Sequence, residues 1–105
     1  MEKQIYTYHA EMCQVFSHPK RLEVIDLLRD GEMTVSELAQ KLGLTSGNLS
    51  QHLSLMKTRH ILLTRKEGNQ VFYRTANPNL IECFEMMQEM LFEQIRQDAA
   101  LIVTK

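Results

Sequence analysis

The residues of this chain best equipped for chemistry lie in one run, Thr45-Ser46-Gly47-Asn48-Leu49-Ser50-Gln51-His52, with Lys57 a little further on. Helical spacing turns Leu49, Leu53 and Met56 inward, which leaves Ser46, Gly47, Asn48, Ser50, Gln51, Ser54 and Lys57 outward and His52 at the edge. Asn and Gln amides on such a face can bond bidentately to adenine edges in the major groove of duplex DNA. Hydroxyls and backbone N–H groups can clamp its phosphates. A polar helix face by itself is ordinary surface, but this run lies in a stretch without a single acid between Glu37 and Glu67.

Charge is distributed to match. The formal net charge is only -1, yet Lys41 to Thr75 carries six basic residues (Lys41, Lys57, Arg59, Arg65, Lys66, Arg74) against one acid, Glu67, hence +5. The remainder holds six basic and twelve acidic residues, hence -6. Such a split offers a basic surface to a polyanion and keeps an acidic back.

The elements that must position these residues follow from periodicity. Ile5, Tyr8, Met12, Val15 and Phe16 predict a first helix over about residues 3–16. His18-Pro19 breaks it and starts a second, apolar helix that ends at Arg29-Asp30-Gly31, where Gly31 suits the left-handed C-terminal conformation. Thr34-Val35-Ser36-Glu37 is a capping box opening a third helix, to about Leu42. Gly43-Leu44 makes a tight turn, and Thr45 caps the fourth helix, giving a helix-turn-helix. Ile61 to Arg65 and Val71 to Thr75 are β-prone runs flanking the polar turn Glu67-Gly68-Asn69-Gln70, a hairpin in the position of a wing. Arg65, Lys66, Asn69, Gln70 and Tyr73 would lie on it, facing phosphates or the adjacent minor groove. Asn77-Pro78 then starts a long last helix with Leu80, Phe84, Met87, Leu91 and Ile95 in one stripe. The expected fold is mainly α with a small β-hairpin, a winged helix-turn-helix. The terminal helices carry apolar stripes that so small a body cannot cover, so a homodimer through the first and last helices is expected, reading half-sites about 34 Å apart.

Four motifs carry a family resemblance. His18-Pro19-Lys20-Arg21-Leu22, Thr34-Val35-Ser36-Glu37-Leu38, Leu49-Ser50-Gln51-His52-Leu53 and the wing run Arg65 to Tyr73 together resemble the ArsR/SmtB repressors over residues 10–95. The resemblance implies a dimeric winged-helix repressor on an inverted-repeat operator of double-stranded DNA, released when an inducer binds. It maps Ser50, Gln51 and His52 to recognition-helix contacts and Gly68 to the wing tip. The chain departs from the family at Lys57-Thr58-Arg59-His60, where a Gly-containing turn is usual.

The inducer is less legible. Many members of that family hold metals through Cys-Val-Cys at the start of the third helix, where this chain has Thr34-Val35-Ser36, and hydroxyls are poor ligands for soft metals. Others use His on the last helix, and no His follows His60. The remaining reactive groups are Cys13 and Cys83. They could be joined by oxidation or sulfuration in a thiol redox or persulfide switch. Alternatively His9, Cys13 and Cys83 could form a zinc-type site, or both cysteines could be small buried hydrophobes. Family members that sense persulfides usually carry a cysteine in mid-helix two, where this chain has Asp26. Met86, Met87 and Met90 are expected to fill gaps at the dimer interface, and His18 to serve the start of the second helix.

With 105 residues, 44% of them hydrophobic and 24% charged, the chain reads as one domain, 1–105. No apolar run reaches the ~20 residues of a membrane span, and no secretory signal is evident, so a cytoplasmic protein is expected. Two cysteines seventy residues apart make no disulfide framework. There is no Gly-rich phosphate loop or nucleophile elbow, so neither an enzyme nor a cofactor is expected. The other reading is a winged helix used as a protein-interaction module, which would want apolar or acidic residues on the exposed face of the fourth helix.

Overall fold

The structure is a computed structural model that describes residues 2–104, with side chains described as far as Ala100. Helix α1 (Glu2–Val15) is followed by α2 (Pro19–Leu27), a 3-10 turn (Leu28–Asp30), β1 (Met33–Thr34), α3 (Val35–Leu42), α4 (Ser46–Thr58), β2 (Leu62–Glu67), β3 (Gln70–Thr75) and α5 (Asn79–Thr104).

Local chemistry sets most of these boundaries. His18 precedes a proline, which drives it to extended backbone (φ -127°, ψ 126°), and its ring accepts from the Lys20 N–H at 3.1 Å. Thr34 and Glu37 form the expected capping box: Oγ1 accepts from the Glu37 N–H at 3.2 Å while Glu37 Oε1 accepts from the Thr34 N–H at 3.3 Å. Gly43, at φ 67°, closes α3 in the left-handed region. Asn77 Oδ1 accepts from the Asn79 N–H at 2.9 Å at the start of α5.

Two expectations need correction. The α-helical part of α2 stops at Leu27, and the 3-10 turn carries the chain to Asp30 with the Gly31 N–H bonded to the Leu28 carbonyl at 3.3 Å. Gly31 itself sits at φ 143°, ψ -170°, outside the left-handed helical well but still at a positive φ that favours glycine. The wing is also more than a hairpin. Met33 and Thr34 pair antiparallel with Tyr73 and Phe72, making a three-stranded sheet in the order β1-β3-β2. Glu67 pairs with Gln70, so the turn is the two residues Gly68-Asn69, with Gly68 at φ 62°.

The core lies where α2, α3 and α4 meet the base of the sheet: Val24, Ile25, Leu38, Leu49, Leu53 and Met56 are fully buried, and Leu62 nearly so. Each such side chain contributes about 1.5–3 kcal/mol on burial. The terminal helices are different. Val15 is the one buried residue of α1, and among the described residues α5 packs on the core near its start, through Leu80, Ile81 and Phe84. The Cα radius of gyration is 16.5 Å, against about 13 Å for a compact chain of this length, because α1 and α5 project beyond the body. No helix among the described residues is long and apolar enough to cross a membrane.

Candidate nucleic-acid interface

Helix α4 is anchored by Leu49, Leu53 and Met56, each with no exposed surface, and this fixes which side faces out. Thr45 Oγ1 accepts from the Asn48 N–H at 3.2 Å, so its hydroxyl serves as the cap. The outward residues are those expected: Thr45, Ser46, Gly47, Asn48, Ser50, Gln51, Ser54 and Lys57 are all exposed. The helix has no acid in its first turn and carries Lys57 in its last, leaving the positive N-terminal end of its dipole free for an anion.

His52 is placed otherwise than the rest. It is half-buried, and its Nδ1 accepts from Arg21 Nε at 3.1 Å, while its ring lies 4.6 Å from the ring of His18. Arg21 also donates to the Val15 carbonyl at 3.2 Å, so one guanidinium ties α4 to the end of α1. Burial, then the neighbouring His18 and Arg21, hold the His52 pKa below its ordinary value. Nothing in the spacing of residues 31 apart could announce this contact, although His18 before a proline was a visible helix-start signal.

At the end of α4 the structure explains how the chain manages without the usual glycine. The Ile61 N–H bonds to the Met56 carbonyl at 2.9 Å and the His60 N–H to that of Lys57 at 3.0 Å, with His60 at φ 62°. This is a Schellman closure in which a histidine occupies the left-handed position that glycine normally takes.

On the wing, Lys66, Asn69 and Gln70 are exposed as expected. Arg65 is engaged: it pairs with Glu32 at 2.5 Å and Glu67 at 2.6 Å, and its guanidinium lies 4.5 Å from the Phe72 ring centre. The hydrogen bond from Arg65 holds the Glu32 carboxyl below the usual carboxylate range. Tyr73 is half-buried, packed against the core and paired with Met33 across the sheet.

The two cysteines are exposed in the single chain. Both line one groove of about 500 Å³ between α1, α2 and α5, together with His9, Met12, Phe84 and Met87. Phe16 and Phe84 meet edge to face at 4.9 Å at its base. Among the described residues no group of three or more His, Cys, Asp or Glu side chains could hold a metal ion, so His9, Cys13 and Cys83 make no such site within one chain.

Residues 18–58, the span from the α2 cap through α4, match the model of the arsR family of bacterial regulatory proteins. A biofilm growth-associated repressor of Agrobacterium fabrum is 36% identical over 87 residues, 83% of this chain and 74% of that protein. The chain belongs to the ArsR family. This ArsR-family protein is therefore a transcriptional regulator with a winged helix-turn-helix, and not an enzyme. The crystal structure of Mycobacterium tuberculosis Rv0081 superposes with a TM-score of 0.84 at 28% identity, covering 90% of this chain and 96% of that one. A 24% identical domain from Mycobacterium bovis, described as a homodimeric winged helix-turn-helix DNA-binding domain, shares the fold with a TM-score of 0.83 over 91% of this chain and 89% of its own.

Proposed function

We propose that this ArsR-family regulator is a homodimeric repressor that binds an inverted-repeat operator in double-stranded DNA and is released by a thiol redox or persulfide signal. The observation that carries the DNA reading is the exposed, acid-free face of α4. Ser46, Gly47, Asn48, Ser50, Gln51 and His52 enter the major groove, with Thr45 at its edge. Lys57, Lys66, Asn69 and Gln70 reach the backbone, and Arg65 and Tyr73 brace the wing behind them. The same face disfavours a protein-interaction module, since it offers neither apolar nor acidic side chains.

Dimerisation rests on Tyr8 and Met12 of α1 and Leu91, Phe92 and Ile95 of α5, large apolar residues left more than two-fifths exposed. Burying such a patch is what a monomer of this size lacks. The relatives' names supply the repressor reading: the A. fabrum protein is called a repressor.

The thiol reading rests on Cys13 and Cys83 being exposed and lining one groove between the helices that would form the dimer. An oxidant of the disulfide or polysulfide class would take up two electrons and two protons from the thiols. It would leave as reduced sulfur while a Cys13–Cys83 linkage forms, within a chain or across the dimer. A linkage there ties α1 to α5 and changes the spacing of the two α4 helices.

Fluorescence anisotropy on the DNA upstream of the regulator's own gene tests both parts. Reduced protein is expected to bind tightly. Polysulfide treatment is expected to release wild type but not Cys13→Ser or Cys83→Ser. Release that persists in both serine variants would remove the cysteines from the mechanism, and no binding in any form would remove the DNA reading.

A further inference from the structure

The junction between α2 and α4 is built from two imidazoles and one guanidinium, and its hydrogen bonds dictate where the imidazole protons sit. Arginine Nε–H can only donate, so His52 Nδ1, 3.1 Å away, must be unprotonated and the ring's one N–H is at Nε2. His18 Nδ1 is likewise an acceptor, for the Lys20 N–H at 3.1 Å. Both rings are therefore neutral in this arrangement, 4.6 Å apart, with Arg21 against one of them. Among the described residues His52 Nε2 has no hydrogen-bond partner, so its N–H is available on the helix read as facing DNA.

We infer that Arg21 is a positioning residue for sequence recognition: it holds His52 in the Nε2–H form that donates to an operator acceptor, and protonation of His52 uncouples the ring and lowers sequence discrimination in mild acid. The inference rests on the reading of α4 as the recognition helix. The charged and titratable groups facing His52 are His18 and Arg21, both from the start of α2. Lys20 of the same turn is held away, by Glu23 at 3.1 Å and the Leu42 carbonyl at 3.4 Å. Taking a proton at Nδ1 removes the acceptor for Arg21 and sets a second cation beside the Arg21 guanidinium and the neutral His18 ring. Mild acid then has two opposite effects. An imidazolium on the DNA face attracts any phosphate, so non-specific affinity rises, while the Nε2–H, still a donor, is no longer aimed by the Arg21 bond and the preference for one sequence falls.

The test uses the full chain and a duplex that wild type itself selects from a random pool, compared with a scrambled duplex of the same composition. Long-range proton–nitrogen spectra of the imidazoles are recorded from pH 8 to 5 without DNA. His52 is expected as the Nε2–H tautomer, protonating at lower pH than free imidazole; Arg21→Met is expected to give mixed tautomers and a titration moved upward. In binding, the ratio of selected to scrambled affinity is expected to fall by roughly tenfold in wild type from pH 7.5 to the pH at which those spectra show His52 protonated, the size of one lost base contact. It is expected to stay level in His52→Gln, which cannot titrate, and to be reduced already at pH 7.5 in Arg21→Met. His52→Gln leaves the Arg21 bond to Val15 intact, so it separates the imidazole's role from any loosening of α1. A His52 that titrates like free imidazole, or a wild-type ratio as level as that of His52→Gln, would overturn the inference alone. Failure of wild type to select any sequence would overturn the reading of α4 and the inference with it.

Discussion

The body built from α2, α3, α4 and the sheet closes over its apolar residues, whereas α1 and α5 leave theirs in water. Leu53 has no exposed surface; Phe92 and Ile95 are 60% and 61% exposed. Both regions are amphipathic helices of ordinary composition, so the difference does not lie in their propensities. It lies in whether one chain holds a partner surface for each stripe. The stripes of α2, α3 and α4 face one another across a short distance along the chain, and caps at His18, Thr34 and Thr45 fix how each helix enters the core. Helix α5 is 26 residues long, and among its described side chains those packed against that body lie in its first turns. An apolar stripe continuing past its own core points to a surface supplied from outside the chain.

The sharpest way to separate the two regions is to damage each. Leu53→Ala removes a fully buried side chain from the closed body and is expected to cost about 2–5 kcal/mol in denaturant unfolding. A loss below 1 kcal/mol would mean that the body is not the unit that holds the fold together. Leu91→Glu with Ile95→Glu strikes the open region instead. There the expectation is little change in the folding of the body, a shift from dimer to monomer in sedimentation, and a loss of operator affinity of roughly a hundredfold as two linked half-site contacts become one. A variant that stays dimeric, or a wild type that is monomeric at micromolar concentration, would reassign the open stripe to a different partner.

His60 offers a smaller effect within the closed body. Its φ of 62° is one that an L side chain adopts at a cost of about 1–2 kcal/mol, partly recovered when glycine's greater unfolded-state freedom is counted. His60→Gly is therefore expected to stabilise the protein by up to about 1 kcal/mol, read as a raised unfolding midpoint. A destabilised variant would show that the imidazole makes a contribution beyond closing the turn.

What could be read from the sequence divides along the same physical line. Helices and caps are local, and the Thr34–Glu37 box, the Thr45 cap and the inward set Leu49, Leu53 and Met56 all stand where spacing put them. The outward face of α4 was legible for the same reason. Strand β1 was not, because two residues carry no alternation and become a strand only by pairing with Phe72 and Tyr73. The Arg21–His52 bond spans 31 residues and the Arg65–Glu32 pair 33, and neither distance exists until the fold forms. Those contacts matter to function because they decide which polar side chains of the interface are free and which are engaged.

Arg65 is the clearest case, and relieving it is the smallest effect expected. Glu32, at the approach to β1, and Glu67, on the wing, both hold its guanidinium, which keeps a wing cation from the phosphates the wing would face. Because Arg65 holds the Glu32 pKa down, any stability this carboxylate adds is present above the ordinary carboxylate range and is lost as pH falls through the lowered value. Glu32→Gln should remove that part of the acid limb. Glu32 is an exposed group, so the shift in unfolding midpoint is expected to be small. On DNA the same substitution leaves Arg65 with Glu67 alone, and the slope of log affinity against log salt is expected to steepen by up to about 0.9, one further phosphate neutralised. An unchanged slope would mean that Arg65 braces the wing in the bound state as in the free one, and that the phosphate contacts of this region belong to Lys66, Asn69 and Gln70.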